Sequence, residues 1–149
     1  SQLIDEKLEY IRHTDVEIIV QPVQSPESVR KYFCKNGFSI KQEKLAKADG
    51  RIYHIIKARP DKESGRESNE LSDDIDYELG RLIIKDRSLE NQLLLEELVT
   101  YKLKEQYKIK GNLESISEDE LQEKYRKRYN EVIIKIESLN RILVNIALN

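Results

Sequence analysis

Between Val16 and Ala58 the hydrophobic pattern of the chain passes from strand to helix to strand and, through a tight turn, to a further strand, and this succession restricts the fold more than any other feature. Val16-Glu17-Ile18-Ile19-Val20 is a short, nearly continuous apolar run, the pattern of a parallel strand buried on both faces. After the loop residues Gln21-Pro22-Val23, Ser25 is placed to cap a helix, with Pro26 at its first position and Glu27 at the positive end of its dipole. Gly37 follows Asn36 as a left-handed stop, so the helix is expected over about Pro26 to Asn36. Phe38 and Ile40 open a second strand that turns charged at Lys41, Glu43 and Lys44, and Asp49-Gly50 signals a hairpin before Arg51-Ile52-Tyr53-His54-Ile55-Ile56-Lys57-Ala58. The expected class is α/β, with a β-α-β unit ending in an antiparallel hairpin.

Upstream, Leu3, Ile4, Leu8 and Ile11 share one helical face and predict a helix over Gln2 to Arg12. Downstream the pattern changes near Pro60. Asp61 to Gly80 carries eight acidic residues and two basic ones, and its first part, Asp61 to Ser72, reads as a polar connector. Helical periodicity resumes over Asp73 to Lys85 with Ile75, Leu79, Leu82 and Ile83. Ser88 can cap a next helix bearing Leu94, Leu95, Leu98 and Tyr101 and ending near Gly111. Ser117 and Glu120 form a capping box for a last helix, in which Tyr129, Val132, Ile136, Leu139, Leu143 and Ile146 alternate by three and four, the seam of a left-handed coiled coil. An antiparallel helical hairpin is therefore expected in the second half. The division expected is 1–60 for the sheet part and 61–149 for the acidic connector and helices.

The 149 residues can bury one modest core, and no stretch has the length or apolarity of a membrane span or signal peptide. Cys34 is the single cysteine, which excludes an internal disulfide and a cysteine metal cluster, so a cytoplasmic setting with no membrane and no metal is expected.

At Glu17-Ile18-Ile19-Val20-Gln21-Pro22, at Ala48-Asp49-Gly50-Arg51-Ile52-Tyr53-His54-Ile55-Ile56 and at Tyr77-Glu78-Leu79-Gly80-Arg81-Leu82-Ile83-Ile84-Lys85, the sequence resembles the bacterial tRNA (adenine(22)-N(1))-methyltransferase family, the TrmK type. The resemblance covers roughly Val16 to Leu98 and rests on the set rather than on one specific motif. It implies the C-terminal part of a class I methyltransferase Rossmann-like sheet followed by a coiled-coil hairpin, and a role in methylating adenine N1 of tRNA with S-adenosylmethionine. Two departures stand out: Val23 replaces the family's Asn after the Gln-Pro pair, and Arg81 replaces its Pro after the Leu-Gly pair. The family's Asp-x-Gly-x-Asp-His segment and glycine-containing cofactor loop have no counterpart here. The five glycines, Gly37, Gly50, Gly65, Gly80 and Gly111, are too dispersed to build such a loop. The resemblance thus implies that the chain starts after the fourth strand of that sheet, binds no cofactor itself and is inactive alone. The rival reading is a non-enzymatic coiled-coil module for protein association with a degenerate sheet.

Gln21 and Pro22 follow the carboxyl end of the first strand, where ligands bind in open α/β sheets, and Gln can pair with adenine at N6 and N7 while leaving N1 free. Alternatively, they only cap and shape the loop. Lys124, Tyr125, Arg126, Lys127, Arg128 and Tyr129 place cations and tyrosines within two helical turns, which suits phosphate contact and base stacking on RNA. Alternatively they form a solvated face, with Glu123 and Glu131 offsetting the charge. His13 and His54 lack a partner in sequence and read as ordinary packing or surface residues, and Cys34 as an inert thiol. The apolar strand Val16 to Val20 would leave an open edge, from which a homodimer or domain swap is expected unless the helix over Gln2 to Arg12 folds over it.

Overall fold

The computed structural model describes residues 16–61, 73–116 and 123–148. The helix expected over Gln2 to Arg12, His13, most of the polar connector, and the capping box of Ser117 and Glu120 lie outside them. In chain order the elements are β1 (Ile18–Val20), α1 (Pro26–Lys35), β2 (Phe38–Ala48), β3 (Arg51–Pro60), a π-helical turn (Asp76–Gly80), α2 (Arg81–Lys85), α3 (Leu89–Glu114) and α4 (Glu123–Ala147). They fall into two compact units, one of the described residues up to Arg87 and one of those from Ser88.

In the first unit the strands form a sheet of order β1-β3-β2 in which both pairings are antiparallel. α1 starts where its sequence signals place it: the Ser25 hydroxyl accepts the Ser28 amide at 3.3 Å, Pro26 opens the helix, and Gly37, at φ 77°, ends it after Asn36. The hairpin is as tight as Asp49-Gly50 suggests. Both residues have positive φ, 51° and 75°, inside the closing pair Ala48↔Arg51, as a two-residue type I′ connection demands.

β1 differs from its sequence reading. It is shorter, it pairs antiparallel with β3 through Ile18↔Ala58, Ile19↔Lys57 and Val20↔Ile56, and it is not buried on both faces, since Ile19 is 65% exposed. Apolar β-branched residues in a row report strand propensity, while the strand's period of two decides which of them meets the core. Ile18 and Val20 accordingly pack with Val29, Tyr32 and Ile40 around the fully buried Phe33, Phe38, Ile56 and Ala58. The Phe33 and Phe38 rings lie 5.4 Å apart at a 52° tilt. Burial of Phe33, Phe38 and Ile56 contributes about 1.5–3 kcal/mol each.

The stretch Asp73 to Lys85 is helical but not one helix. Gly80, at φ 94° and ψ 117°, separates the π-helical turn from α2.

In the second unit α3 and α4 run antiparallel, because Tyr129 meets Glu114 near one end and Asn140 meets Tyr107 further along. Val132, Ile136, Leu139 and Ile142 of α4 are buried, as are Leu95, Val99 and Leu103 of α3. The stripe on α3 is rotated from the one expected: Leu94 and Leu98 sit at its margin and Tyr101 is 61% exposed. α3 also passes through Gly111 to Glu114. Glycine stops a helix by adopting positive φ, and Gly111 does not; it stays helical at a cost of about 1 kcal/mol relative to Ala. No described helix is long and apolar enough to cross a membrane.

Candidate functional site

Gln21 and Pro22 stand immediately beyond the carboxyl end of β1, Gln21 exposed and Pro22 half-buried, and the loop they open leads into the N-terminus of α1. Val23, where a polar residue would offer another contact, is 87% exposed. The Gln21 amide is thus free to present both a donor and an acceptor to solvent at the strand end. On the first turn of α1, Glu27 accepts from Lys31 at 2.7 Å, and this bond raises the Lys31 pKa.

The most elaborate polar arrangement escaped the sequence reading. Arg30 is fully buried on α1, one turn before Phe33 and Cys34 on the same inward face. Its Nε donates to Glu43 Oε1 at 2.6 Å, its Nη1 to the carbonyls of Tyr77 and Glu78 at 2.8 and 2.9 Å, and its Nη2 to the Leu79 carbonyl at 3.3 Å. Nη2 also lies 2.9 Å from His54 Nδ1, and since a guanidinium can only donate, that nitrogen is the acceptor. The second Glu43 oxygen accepts the Leu82 amide at 3.1 Å.

Simple alternation would turn Glu43 away from the core, because Phe38 and Ile40 face inward and are separated from it by odd steps. A bulge between Ile40 and Gln42 shifts the phase by one residue, so that Glu43 and Leu45 point in. On β3 the inward set is His54, Ile56 and Ala58, which places His54 in this interior cluster. Gly80 is required beside it: a Cβ there would come within 2.7 Å of Arg30 Nη2 and 2.8 Å of both Glu43 oxygens.

On the helical unit the structure separates the residues of the predicted cluster. Lys124, Arg126, Lys127 and Arg128 are exposed, but only Lys124, Lys127 and Arg128, at spacings of three and four, share one side of α4; Arg126 lies on the other. The Lys124 ammonium sits 5.8 Å from the centroid of the half-buried Tyr125 ring. Tyr129 belongs to the helix–helix contact. Its hydroxyl donates to Glu114 at 3.1 Å, and Lys110 bridges the same carboxylate at 3.2 Å. The hydrogen bond to Glu114 raises the Tyr129 pKa, while Lys110 first and Tyr129 second lower that of Glu114. Lys104, Tyr107 and Lys108 of α3 are also exposed, but Tyr107 meets Asn140, about three turns along α4 from Arg128. Cys34 is a buried free thiol, and no metal-binding group of His, Cys, Asp and Glu occurs among the described residues.

A family model, TrmK: tRNA (adenine(22)-N(1))-methyltransferase, matches residues 1–141. Among solved structures, the B. subtilis m1A22 tRNA methyltransferase TrmK superposes with a TM-score of 0.70 at 18% identity, over 94% of this chain and 58% of that one. A protein of the NADB-Rossmann superfamily from Streptococcus agalactiae gives 0.66 at 14% identity, covering 95% and 53%. A candidate tRNA (m1A22) methyltransferase of Streptococcus pneumoniae, in complex with S-adenosyl-L-methionine, gives 0.63 at 20% identity, again covering 95% and 53%. At these identities the likeness shows a common fold, and the chain spans a little over half the length of each structure. No curated protein matches it.

Proposed function

From the chain's membership of the TrmK, tRNA (adenine(22)-N(1))-methyltransferase, family, we propose that it forms the C-terminal part of an S-adenosylmethionine-dependent enzyme that methylates N1 of an adenine in tRNA. The observation that carries this reading is the family match over residues 1–141, and the mixed α/β fold of the structural neighbours supports it.

Within that reading Gln21 and Pro22 contact the substrate base. Taken out of its stack, an adenine can receive both hydrogen bonds of the Gln21 amide on N6 and N7, which leaves N1 unobstructed. The contribution of such a residue is alignment. The cofactor's binding loops are assigned outside these residues. Gly37 is used to stop α1, Gly50 to turn the hairpin and Gly80 to admit Arg30 and Glu43, and Gly111 is an ordinary helical residue, so none of them builds a phosphate- or carboxylate-binding loop.

The helical unit grips tRNA by its phosphates. Lys124, Lys127 and Arg128 supply one row of cations, Arg126 a contact on the other side, and Tyr125 a stacking surface. The edge of β1 that has no strand partner among the described residues, with Ile19 exposed, is assigned to association with a second copy.

Loss of 1-methyladenosine from tRNA after disruption of the gene, read by primer extension and nucleoside mass spectrometry, tests the activity; an unchanged level would overturn it. Calorimetric titration of the chain with S-adenosylmethionine should show no binding, and a stoichiometric micromolar heat would place a cofactor site here after all.

A further inference from the structure

The interior cluster of the sheet unit has no part in the chemistry just proposed, yet it consumes the whole hydrogen-bonding capacity of an arginine. A guanidinium has five N–H donors, and Arg30 places contacts on Glu43, on three consecutive carbonyls of the Asp76–Gly80 turn and on His54. Three of these five contacts hold backbone that lies 47 to 49 residues away in sequence. Glu43 neutralises the cation with one oxygen and holds the first turn of α2 through Leu82 with the other. Gly80 lies where the two meet, with no room for a side chain and in a conformation that side chains disfavour.

We propose that Arg30, Glu43 and Gly80 form a latch that fastens the backbone of Tyr77–Leu82 to the sheet unit, and that this segment opens as a local unit while β2 and β3 stay folded. The segment is held by these polar, directional bonds and by the burial of its own Leu79 and Ile83, whereas the sheet is held by the separate apolar cluster of Phe33, Phe38, Ile56 and Ala58. The two therefore rest on different interactions. Release would also lengthen the tether between the units. When the latch is closed, only Asp86, Arg87 and Ser88 separate α2 from α3; when it is open, the residues of α2 and the turn join them. The ion pair sets the balance, because opening exposes the guanidinium to water and closing requires Glu43 to compensate it in the interior.

The test is amide exchange by mass spectrometry on the full chain, comparing peptides from 76–85 with peptides from β3. In the native chain the 76–85 segment should exchange faster than β3 but well below the rate of an unstructured peptide. Glu43→Gln leaves the cation uncompensated, and Gly80→Ala drives a methyl into the pair; each should accelerate exchange over 76–85 by about 100-fold and that of β3 by less than about threefold. Should the first variant fail to fold, Arg30→Met combined with Glu43→Leu removes both charges and fills the interior with apolar groups. Here β3 should remain protected while 76–85, deprived of the arginine donors, exchanges rapidly. Equal acceleration of both regions in Gly80→Ala would show a single cooperative unit and overturn the proposal. So would retained protection of 76–85 in the double variant.

Discussion

Leu139 is the residue whose removal tests the packing of the helical unit most directly. It is completely buried on α4, between Ile136 and Ile142 along the contact with α3. Leu139→Ala deletes three side-chain carbons, and at about 0.8 kcal/mol per buried methylene the transfer component alone is about 2.4 kcal/mol. A cavity component follows from the space left behind, about 24 cal/mol for each Å3 that does not collapse, so an unrelaxed void of about 50 Å3 adds about 1.2 kcal/mol. A pair of helices can close part of that void by shifting toward each other, which places the expected loss at about 3 kcal/mol, within the range of about 2–5 kcal/mol for such substitutions. Urea unfolding of the full chain, followed by circular dichroism at helix-sensitive wavelengths, measures it as a lowered midpoint at unchanged slope. Ile134, 62% exposed on the same helix, provides the control: Ile134→Ala should change stability by no more than about 0.5 kcal/mol. A Leu139→Ala effect that small would refute the assignment of this face to the interior. An equal effect at both positions would show that burial along α4 does not determine its stability.

Glu17 is hydrogen-bonded to Lys57 and also faces Arg59, and these cations lower its pKa, with the Lys57 bond the largest cause. A carboxylate with a depressed folded pKa stabilises the strand pairing above its unfolded pKa and loses that effect as pH falls through the folded value, so carboxyl NMR should show Glu17 titrating below an ordinary glutamate, and Glu17→Gln should abolish the associated acid loosening of β1. Replacing Lys124, Lys127 and Arg128 with Ala should weaken binding of the chain to tRNA and lower the salt slope by about 0.7–0.9 per lost phosphate contact; an unchanged slope would return these cations to a solvated face. Sedimentation velocity should reveal a concentration-dependent dimer that Ile19→Lys abolishes, since a charge on an exposed edge strand opposes edge pairing. A monomer at all concentrations would rule out β1 as an interface.

The elements that sequence resolved are those governed by local chemistry. Ser25, Pro26 and Gly37 each act within a turn of where they stand, and Asp49-Gly50 needs only its own backbone to close the hairpin. What it misjudged depends on residues far away or on the choice between two allowed backbones. Gly111 could end a helix or continue one, and α3 continues. Gly80 lies inside an apolar period of three and four that reads as unbroken helix, and only the position of Arg30 and Glu43, 50 and 37 residues earlier, explains why the backbone departs from it there.

Glu43 illustrates how a site disappears from a sequence. A glutamate between lysines on a strand reads as surface, and along a regular strand that reading would hold, since Phe38 and Ile40 would fix the inward phase. One extra residue near Lys41 reverses the phase and turns the carboxylate toward Arg30, a residue that a helical-face argument can place inward because it lies three and four positions before the buried Phe33 and Cys34. A buried arginine requires a compensating carboxylate, so its inward phase constrained the strand opposite. Read together, the inward arginine and the lone acidic residue of β2 imply the bulge. Deleting Gln42 removes the extra residue and sets Glu43 four positions after Phe38, in phase with it, so this variant should keep the ion pair and lose little stability, whereas Glu43→Gln, which leaves Arg30 without its counter-charge, should destabilise the first unit by about 3–5 kcal/mol. Thermal unfolding followed by circular dichroism would measure this. A deletion variant as unstable as Glu43→Gln would show that the phase of β2 does not position the ion pair in this way.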